Sequence, residues 1–378
     1  MKIVHVTPHL PPDQAANALL PFQLGEWARA RGDSVHFVAN TPVAAAPAVN
    51  SEVTWIPRTK RTLLQRFLRT GSISMARWIR REAAATLESA DVVHVHSNGL
   101  LPEVSALLAR RLGKPVVLTL YGTEIWHYRR RRGPDLFTSA YRHADAVTFY
   151  SQGLLDRARE LGLDRPQLHV IYPPVASSFR FHDEAALRDV RRTLGVTETN
   201  LLVNVKRLHP LAGQRYLLEA MKDILTHHPD TRLIICGTGA LLPELNAVAR
   251  RAGVADHVTF AGLIDNAAVA RYCAAADLFV LPSLLEALPT VAVEALASGT
   301  RVISSDNPGG VELHGVFGDD VEVVPKEQAA PLARAITAAL AQKRRTRPAT
   351  CTIVEERFRA DAVARQYWKV YADVTRTS

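Results

Sequence analysis

Two carboxylates eight residues apart, Glu286 and Glu294, flank Pro289 in the stretch L-L-E-A-L-P-T-V-A-V-E-A-L-A-S-G from Leu284 to Gly299. The apolar run ahead of them reads as a strand that breaks at Pro282-Ser283. The run to Ala297 reads as a helix that Gly299 stops. Proline suits the first turn of a helix, where its missing N–H costs little. The amides around Thr290–Ala292 are then free to meet an anion. Glu294, one turn further in, is placed to accept hydrogen bonds from vicinal hydroxyls such as those of a ribose, and Glu286, before the turn, from sugar hydroxyls. The spacing fits equally well two exposed helix-end carboxylates favoured by the helix dipole. The two glutamates alone do not separate these readings.

Other residues with chemical potential form weaker patterns. His94 and His96 share one face of a strand, but no third ligand stands at a convincing spacing, so core or cleft-lining roles are expected. No D-x-D sequence occurs, and no metal site is expected. Gly237-Thr238-Gly239 is a strand-end turn, too short for a dinucleotide fingerprint. Cys236, Cys273 and Cys351 have neither pairing pattern nor metal spacing. Cys236 ends an apolar strand and is expected as a buried small hydrophobe. No nucleophile–base constellation of the hydrolase type stands out.

The elements that must position these groups alternate strand and helix. Strands are expected at Lys2–Thr7, Ser34–Ala39, Val53–Ile56, Asp91–His96, Val116–Tyr121, Ala146–Ser151 and Leu168–Tyr172. A second series runs over Leu201–Val205, Leu233–Cys236, Val258–Ala261, Leu278–Leu281, Val302–Ser304 and Val321–Val324. Helical periodicity falls between most of them, Ser177–Arg192 reads as a polar connection, and Lys343–Pro348 as a basic, exposed one. Short, nearly continuous apolar strands alternating with helices indicate parallel sheets covered on both faces. The expected organisation is a domain over residues 1–180, a second over 181–352, and a C-terminal helix in 353–378 that packs back on the first.

A chain of 378 residues exceeds one ordinary core, which agrees with two domains. Its 47% apolar and 22% charged composition is that of a soluble globular protein. Its apolar runs fall far short of the ~20 residues of a membrane span. Met1–Val6 reads as a strand and not a signal peptide, so a cytoplasmic, reducing location is expected. The net charge of +9 is uneven: residues 1–180 carry 23 Lys+Arg against 14 Asp+Glu, and the remainder 23 against 23. Eight basic residues and no acidic one lie between Arg58 and Arg81. With Leu63, Leu64, Phe67, Leu68, Trp78 and Ile79 interspersed, that segment fits peripheral contact with an anionic membrane, assisted by Arg129–Arg132. It fits as well a helix with an apolar inner face and a solvated arginine face. No nucleic-acid partner is expected.

Taken together, the ordered motifs resemble the retaining family-4 glycosyltransferases of GT-B architecture, which carry an E-x7-E signature where Glu286 and Glu294 stand. The resemblance covers essentially the whole chain. It includes D-V-V-H-V-H at Asp91–His96, V-L-T-L-Y-G-T-E at Val117–Glu124, Ala144–Ser151, Val205–Gly213, Cys236–Gly239, Val258–Gly262, Ala276–Ser283 and Asp306–Glu312. It implies an α/β fold of two Rossmann-like, doubly wound domains facing across a cleft. A nucleotide sugar, most often a UDP-sugar, would lie on the C-terminal domain, and a hydroxyl-bearing acceptor would approach from the N-terminal one. It further implies retention at the anomeric carbon, no metal, and no cofactor beyond the nucleotide-sugar cosubstrate.

Residue by residue, the resemblance gives Glu286 the donor sugar and Glu294 the ribose. Ala287, Leu288, Pro289, Thr290 and Val291 match the loop whose amides meet sugar and phosphate. Arg207 matches the arginine that neutralises the diphosphate, and Leu263 and Ile264 the backbone positions that read the base. Several positions depart from the pattern. The phosphate lysine is Ala212. Lys206, which precedes Arg207, is the donor-side substitute for that lysine, although strand alternation directs it and Arg207 to opposite faces. The usual histidine near the end of the Leu118–Tyr121 strand is Tyr121, which still donates a hydrogen bond, and His127 is the alternative to it. The paired glycines of the first strand–helix loop are replaced by P-H-L-P-P-D-Q-A-A-N at Pro8–Asn17, which leaves Asp13, Gln14 and Asn17 as acceptor-side contacts. The expected activity is transfer to a small-molecule hydroxyl. The alternatives are a lipid-linked or surface-polysaccharide acceptor at the membrane, and a nucleotide-sugar-binding paralogue that has lost turnover.

Overall fold

The structure, a computed structural model, describes residues 1–11, 13, 16–42, 52–58, 71–129 and 135–376. Gln14, residues 59–70 and residues 130–132 lie outside the described residues, so half of the basic apolar segment and most of the second arginine run do too. The chain forms two compact units, one of Met1–Pro173 with Val363–Ser378, the other of Pro174–Ala362. The first unit therefore ends at Pro173 rather than Arg180, and it takes up the chain again at Val363 rather than at residue 353.

In the first unit the strands are β1 (Lys2–Thr7), β2 (Ser34–Asn40), β3 (Val53–Ile56), β4 (Val92–His96), β5 (Val116–Leu120), β6 (Ala146–Phe149) and β7 (Leu168–Val170). They form one parallel sheet in the order β3-β2-β1-β4-β5-β6-β7. Every residue of β4, β5 and β6 is buried, as a sheet covered by helices on both faces requires. In the second unit β8 (Asn200–Val205), β9 (Thr231–Cys236), β10 (Val258–Gly262), β11 (Leu278–Leu281), β12 (Arg301–Ser305) and β13 (Val321–Val324) pair in parallel as β10-β9-β8-β11-β12-β13. Its core gathers Leu202, Leu233, Ile235, Leu278, Val280 and Ile303 of the sheet against Leu217, Met221, Leu332 and Ile336 of the helices. Cys236 is buried, and that burial pushes its thiol up to about 12.

Two connections differ from expectation. The polar stretch Ser177–Arg192 contains a helix, Glu184–Thr193, started by the Asp183 carboxylate, which accepts from the Ala186 N–H at 2.8 Å. It buries no residue fully: its apolar side, Ala186, Leu187 and Val190, is only half-buried and sits among charged residues that gave the stretch its polar look. The arginines after Gln342 are not a free connection. Arg345, half-buried, donates to the carbonyls of Ala274, Ala276 and Ser298 at 2.7–3.1 Å, and Arg344 pairs with buried Asp320 at 2.6 Å. Among the described residues no helix is long and apolar enough to cross a membrane.

Candidate active site

Strand order reverses between β8 and β11, and sheets of this kind bind ligands in the crevice beyond the carboxyl ends of such strands. The loop after β8 carries Lys206 and Arg207, and the loop after β11 carries Glu286 through Pro289. Two contacts bring these loops together. The Leu284 N–H donates to the Leu211 carbonyl at 2.8 Å. Gly213 adopts φ +67°, and a Cβ there would lie 2.0 Å from the Pro282 oxygen; only glycine permits that approach. Gln214, buried at the start of the Gln214–His227 helix, donates its side-chain amide to the Arg207 carbonyl at 3.2 Å. The Arg207 side chain stays exposed. Ala212 is buried, with only a methyl group where the resemblance places a lysine.

Lys206 meets the first of the two glutamates. Its Nζ lies 2.5 Å from Glu286 Oε1. β8 ends at Val205, but the ladder runs on past it: the Lys206 N–H donates to the Cys236 carbonyl at 2.9 Å and the Leu208 N–H to the Thr238 carbonyl at 3.0 Å. A cation is thereby delivered to the glutamate loop by a different position from Ala212.

The loop itself is held from behind by the Asp306–Gly310 turn. The Gly309 N–H donates to the Glu286 carbonyl at 3.0 Å. A Cβ on Gly309 would lie 2.8 Å from Pro289 Cδ and 2.9 Å from Glu286 Cβ. Asn307 donates to the Ser283 carbonyl at 2.8 Å and accepts from the Gly310 N–H at 3.0 Å. Pro289 caps the Thr290–Ala297 helix instead of forming its first residue. The Ala292 N–H, expected to be free, donates to the Pro289 carbonyl at 2.9 Å. The amides of Thr290 and Val291 remain at the open end of the helix. Ala287, Leu288, Thr290 and Val291 are half-buried. Glu294 is half-buried too, and burial raises its carboxyl to about 7. Leu263 and Ile264 follow β10; Leu263 is 84% exposed, an unusual state for leucine.

The first unit holds the remaining residues. His5 on β1, His94 and His96 on β4, and Thr119 on β5 share one face of the sheet, with His5 beside His94 and His96 beside Thr119 in register. Tyr121 continues that face just past β5. Its Oη lies 2.8 Å from His96 Nδ1, and its ring meets Tyr150 edge-on with centroids 4.6 Å apart. Burial, the largest cause, holds the Tyr121 phenol well above its ordinary value. Buried Glu124 accepts from Ser97 Oγ at 2.6 Å, from the Gly122 N–H at 2.8 Å and from the Tyr121 N–H at 3.3 Å. Asp13 Oδ2 lies 2.7 Å from His9 Nδ1, with Arg58 Nη2 3.4 Å from the same nitrogen. The Asn17 carbonyl accepts from the Thr7 hydroxyl. His127 is exposed at the end of the short Thr123–Trp126 helix.

The structure thus joins Lys206 to Glu286 and Tyr121 to His96. It also supplies a third histidine, His5, that the sequence reading missed. The signal was present as His-Val steps in both β1 (His5-Val6) and β4 (His94-Val95), but only strand order makes those two strands neighbours. Glu124 was quoted within a motif without a role, and its three donors are visible only in three dimensions.

Comparison with known proteins follows the same division. Residues 188–352 match the family model described as Glycosyl transferases group 1, and residues 22–179 match Glycosyltransferase Family 4. The chain is 30% identical to a putative teichuronic acid biosynthesis glycosyltransferase of Bacillus subtilis, over 71% of this chain and 67% of that one. It is 32% identical to a GDP-mannose-dependent alpha-(1-6)-phosphatidylinositol monomannoside mannosyltransferase of Mycolicibacterium smegmatis, over 57% of this chain and 61% of the relative's length. The alpha-D-kanosaminyltransferase of Streptomyces kanamyceticus is 25% identical over 61% of this chain and 62% of its own. Among solved structures, sucrose-phosphate synthase from Thermosynechococcus elongatus superposes with a TM-score of 0.75 at 21% identity, covering all of both chains. An Anabaena protein in complex with UDP and glucose superposes with a TM-score of 0.71 at 20% identity, over 99% of this chain and 100% of that one.

Proposed function

The chain belongs to the family-4 glycosyltransferases, and from that premise we propose that it moves a sugar from a nucleotide-sugar donor, a UDP-sugar first, to a hydroxyl of a small-molecule acceptor, with retention and without metal. The observation that carries this reading is the Lys206–Glu286 pair beside Arg207 and the open Thr290 helix end. A diphosphate needs cations and free amides, and a sugar needs a carboxylate within reach of its hydroxyls.

In the proposed reaction the acceptor oxygen bonds to the anomeric carbon on the face from which the diphosphate leaves. The bond from that carbon to the phosphate oxygen breaks, and the oxygen keeps its electron pair. The acceptor's proton passes to the departing phosphate. Arg207, Lys206 and the amides of Thr290 and Val291 take up the charge that develops there. Glu286 holds the sugar, Glu294 the ribose, and Leu263 with Ile264 the base. Tyr121 donates its hydroxyl proton as a hydrogen bond to the reacting sugar, while Asp13, Gln14, Asn17 and His127 serve the acceptor side. No enzymic nucleophile is required.

A soluble acceptor is supported by the replaced glycines of the Pro8–Asn17 loop and by the likeness to a kanosaminyltransferase. A second reading, a lipid-linked acceptor at an anionic membrane, is favoured by the basic first half of the sequence and by the likeness to a phosphatidylinositol mannoside mannosyltransferase. Thermal stabilisation across a panel of UDP- and GDP-sugars identifies the donor, and sedimentation with anionic liposomes separates the acceptor readings. Arg207→Ala and Glu286→Ala are expected to abolish transfer while folding survives. Turnover at the wild-type level in both variants overturns the assignment. Donor binding without transfer or donor hydrolysis in the unaltered protein would make it a binding paralogue.

A further inference from the structure

The three histidines of the first unit are buried together, and each of their ring nitrogens has a definable state. His94 is fully engaged: Nδ1 lies 2.6 Å from the Tyr371 hydroxyl and Nε2 2.6 Å from Thr119 Oγ1. The other two rings form a line. Tyr121 Oη lies 2.8 Å from His96 Nδ1, and His96 Nε2 lies 3.0 Å from His5 Nδ1. His5 Nε2, at the far end, is buried and has no hydrogen-bond partner among the described residues.

We propose that His96 and His5 are positioning residues that set the direction of the Tyr121 hydroxyl, so that its oxygen accepts from the protein and its proton points to the ligand. Both rings are fully buried, which disfavours the imidazolium and drives His5 down to about 3 and His96 well below its usual range. Each ring therefore carries one proton and offers one donor and one acceptor. Only two arrangements of the line exist. In the inward one, Tyr121 donates to His96, His96 donates to His5, and an N–H is stranded at His5 Nε2. In the outward one, His5 Nδ1–H donates to His96 Nε2, His96 Nδ1–H donates to Tyr121 Oη, and only a lone pair is left bare. Orphaned buried N–H groups are rarer than under-satisfied acceptors, so the outward arrangement is the ground state. Tyr121 is also fixed from its backbone side, through the Glu124 carboxylate and the Tyr121 N–H. A phenol held in this way presents a donor to whatever sugar oxygen approaches it. The same three rings, with ligand nitrogens within 4.8 Å of one another, do not suit a metal, because His94 already uses both nitrogens.

This inference rests on the proposed role of Tyr121, and the experiment separates the two. Nitrogen-15 spectra of histidine-labelled wild-type protein report tautomers without any activity measurement. They are expected to show His96 protonated at Nδ1 and His5 at Nδ1. His96 protonated at Nε2 overturns the relay. In transfer assays His96→Leu is expected to lower kcat about tenfold, the worth of one hydrogen bond, with donor KM unchanged. His96→Asn, which keeps an N–H donor near the place of Nδ1, recovers most of that loss. Placed in a Tyr121→Phe background, His96→Leu should cause no further loss. A Tyr121→Phe variant as active as wild type overturns the role of Tyr121 and leaves the tautomers to judge the relay. An impaired Tyr121→Phe beside a fully active His96→Leu overturns the relay alone. One equivalent of zinc retained by the wild type and lost in His5→Phe would replace it with a metal site.

Discussion

Lys206 Nζ and Glu286 Oε1 stand 2.5 Å apart in the second unit, so the cation proposed for the diphosphate is already paired with the carboxylate proposed for the sugar. A diphosphate arriving at this site competes with Glu286 for the ammonium, and success frees the carboxylate for sugar hydroxyls. Lys206→Met is expected to weaken donor binding 10- to 100-fold, the usual worth of a charge-assisted contact. Glu286→Gln should abolish transfer while leaving nucleoside diphosphate binding equal or tighter, because Lys206 is then unopposed. Calorimetry with UDP against UDP-sugar reads both effects. Equal loss of the two ligands in Glu286→Gln would contradict the exchange.

Glu294 makes donor binding pH-dependent. Burial raises its carboxyl to about 7, so near neutrality it is half protonated and at pH 6 mostly so. Ribose hydroxyls donate to the ionised form and stabilise it. Donor binding is therefore expected to release a proton near pH 7, and to tighten as pH rises from 6 to 8. Glu294→Gln should flatten that dependence. Titration in buffers of different ionisation enthalpy counts the proton; uptake in place of release would refute the sign. The same raised value means that stability declines as pH rises from the ordinary carboxylate range through about 7, and the glutamine variant should lack that decline.

Two glycines separate the integrity of the fold from that of the site. Gly213→Ala forces a Cβ to 2.0 Å from the Pro282 oxygen at φ +67°. It should cost about 2–4 kcal/mol of stability, read in urea unfolding. Gly309→Ala presses on Pro289 Cδ and Glu286 Cβ at 2.8 and 2.9 Å, which the loop must shift to relieve. It should lower the unfolding midpoint less than Gly213→Ala and weaken donor binding more.

Glu124 is the buried pin of the β4 and β5 loops. Glu124→Gln can keep its oxygen on the Gly122 and Tyr121 N–H groups, but the Ser97 hydroxyl must then turn to accept from the new amide, and every bond loses its charge assistance. A loss of about 1–2 kcal/mol is expected, with transfer reduced through Tyr121. A variant as stable and as active as the wild type would show that the Ser97 and Gly122 contacts are incidental.

Most of the architecture was legible because parallel strands buried on both faces are written as unbroken apolar runs. Leu278–Leu281, buried throughout, falls where the sequence puts it, and so do the edge strands Val53–Ile56 and Val321–Val324, whose runs Thr54 and Glu322 interrupt. The Glu184–Thr193 helix was not legible, because its short stripe of Ala186, Leu187 and Val190 is outweighed by the charged residues around it. The E-x7-E pair pointed to the loop proposed for the donor, but not to the Lys206–Glu286 contact, which joins loops after two strands that only sheet order makes neighbours. His5 was invisible for the same reason: its partners are ninety residues away, and only sheet order makes them adjacent.

The Tyr371–His94 bond has a consequence for building hybrids of this chain. Val363–Ser378 counts with Met1–Pro173, so the second unit, proposed to bind the donor, is topologically an insertion with two seams. A graft that joins a foreign C-terminal half at Pro173 removes the native tail and leaves His94 without its phenol. Crossovers at both Pro174 and Ala362 keep that pair in one parent. Exchange of donor preference between relatives should therefore succeed as a cassette with two breakpoints and fail as a simple splice.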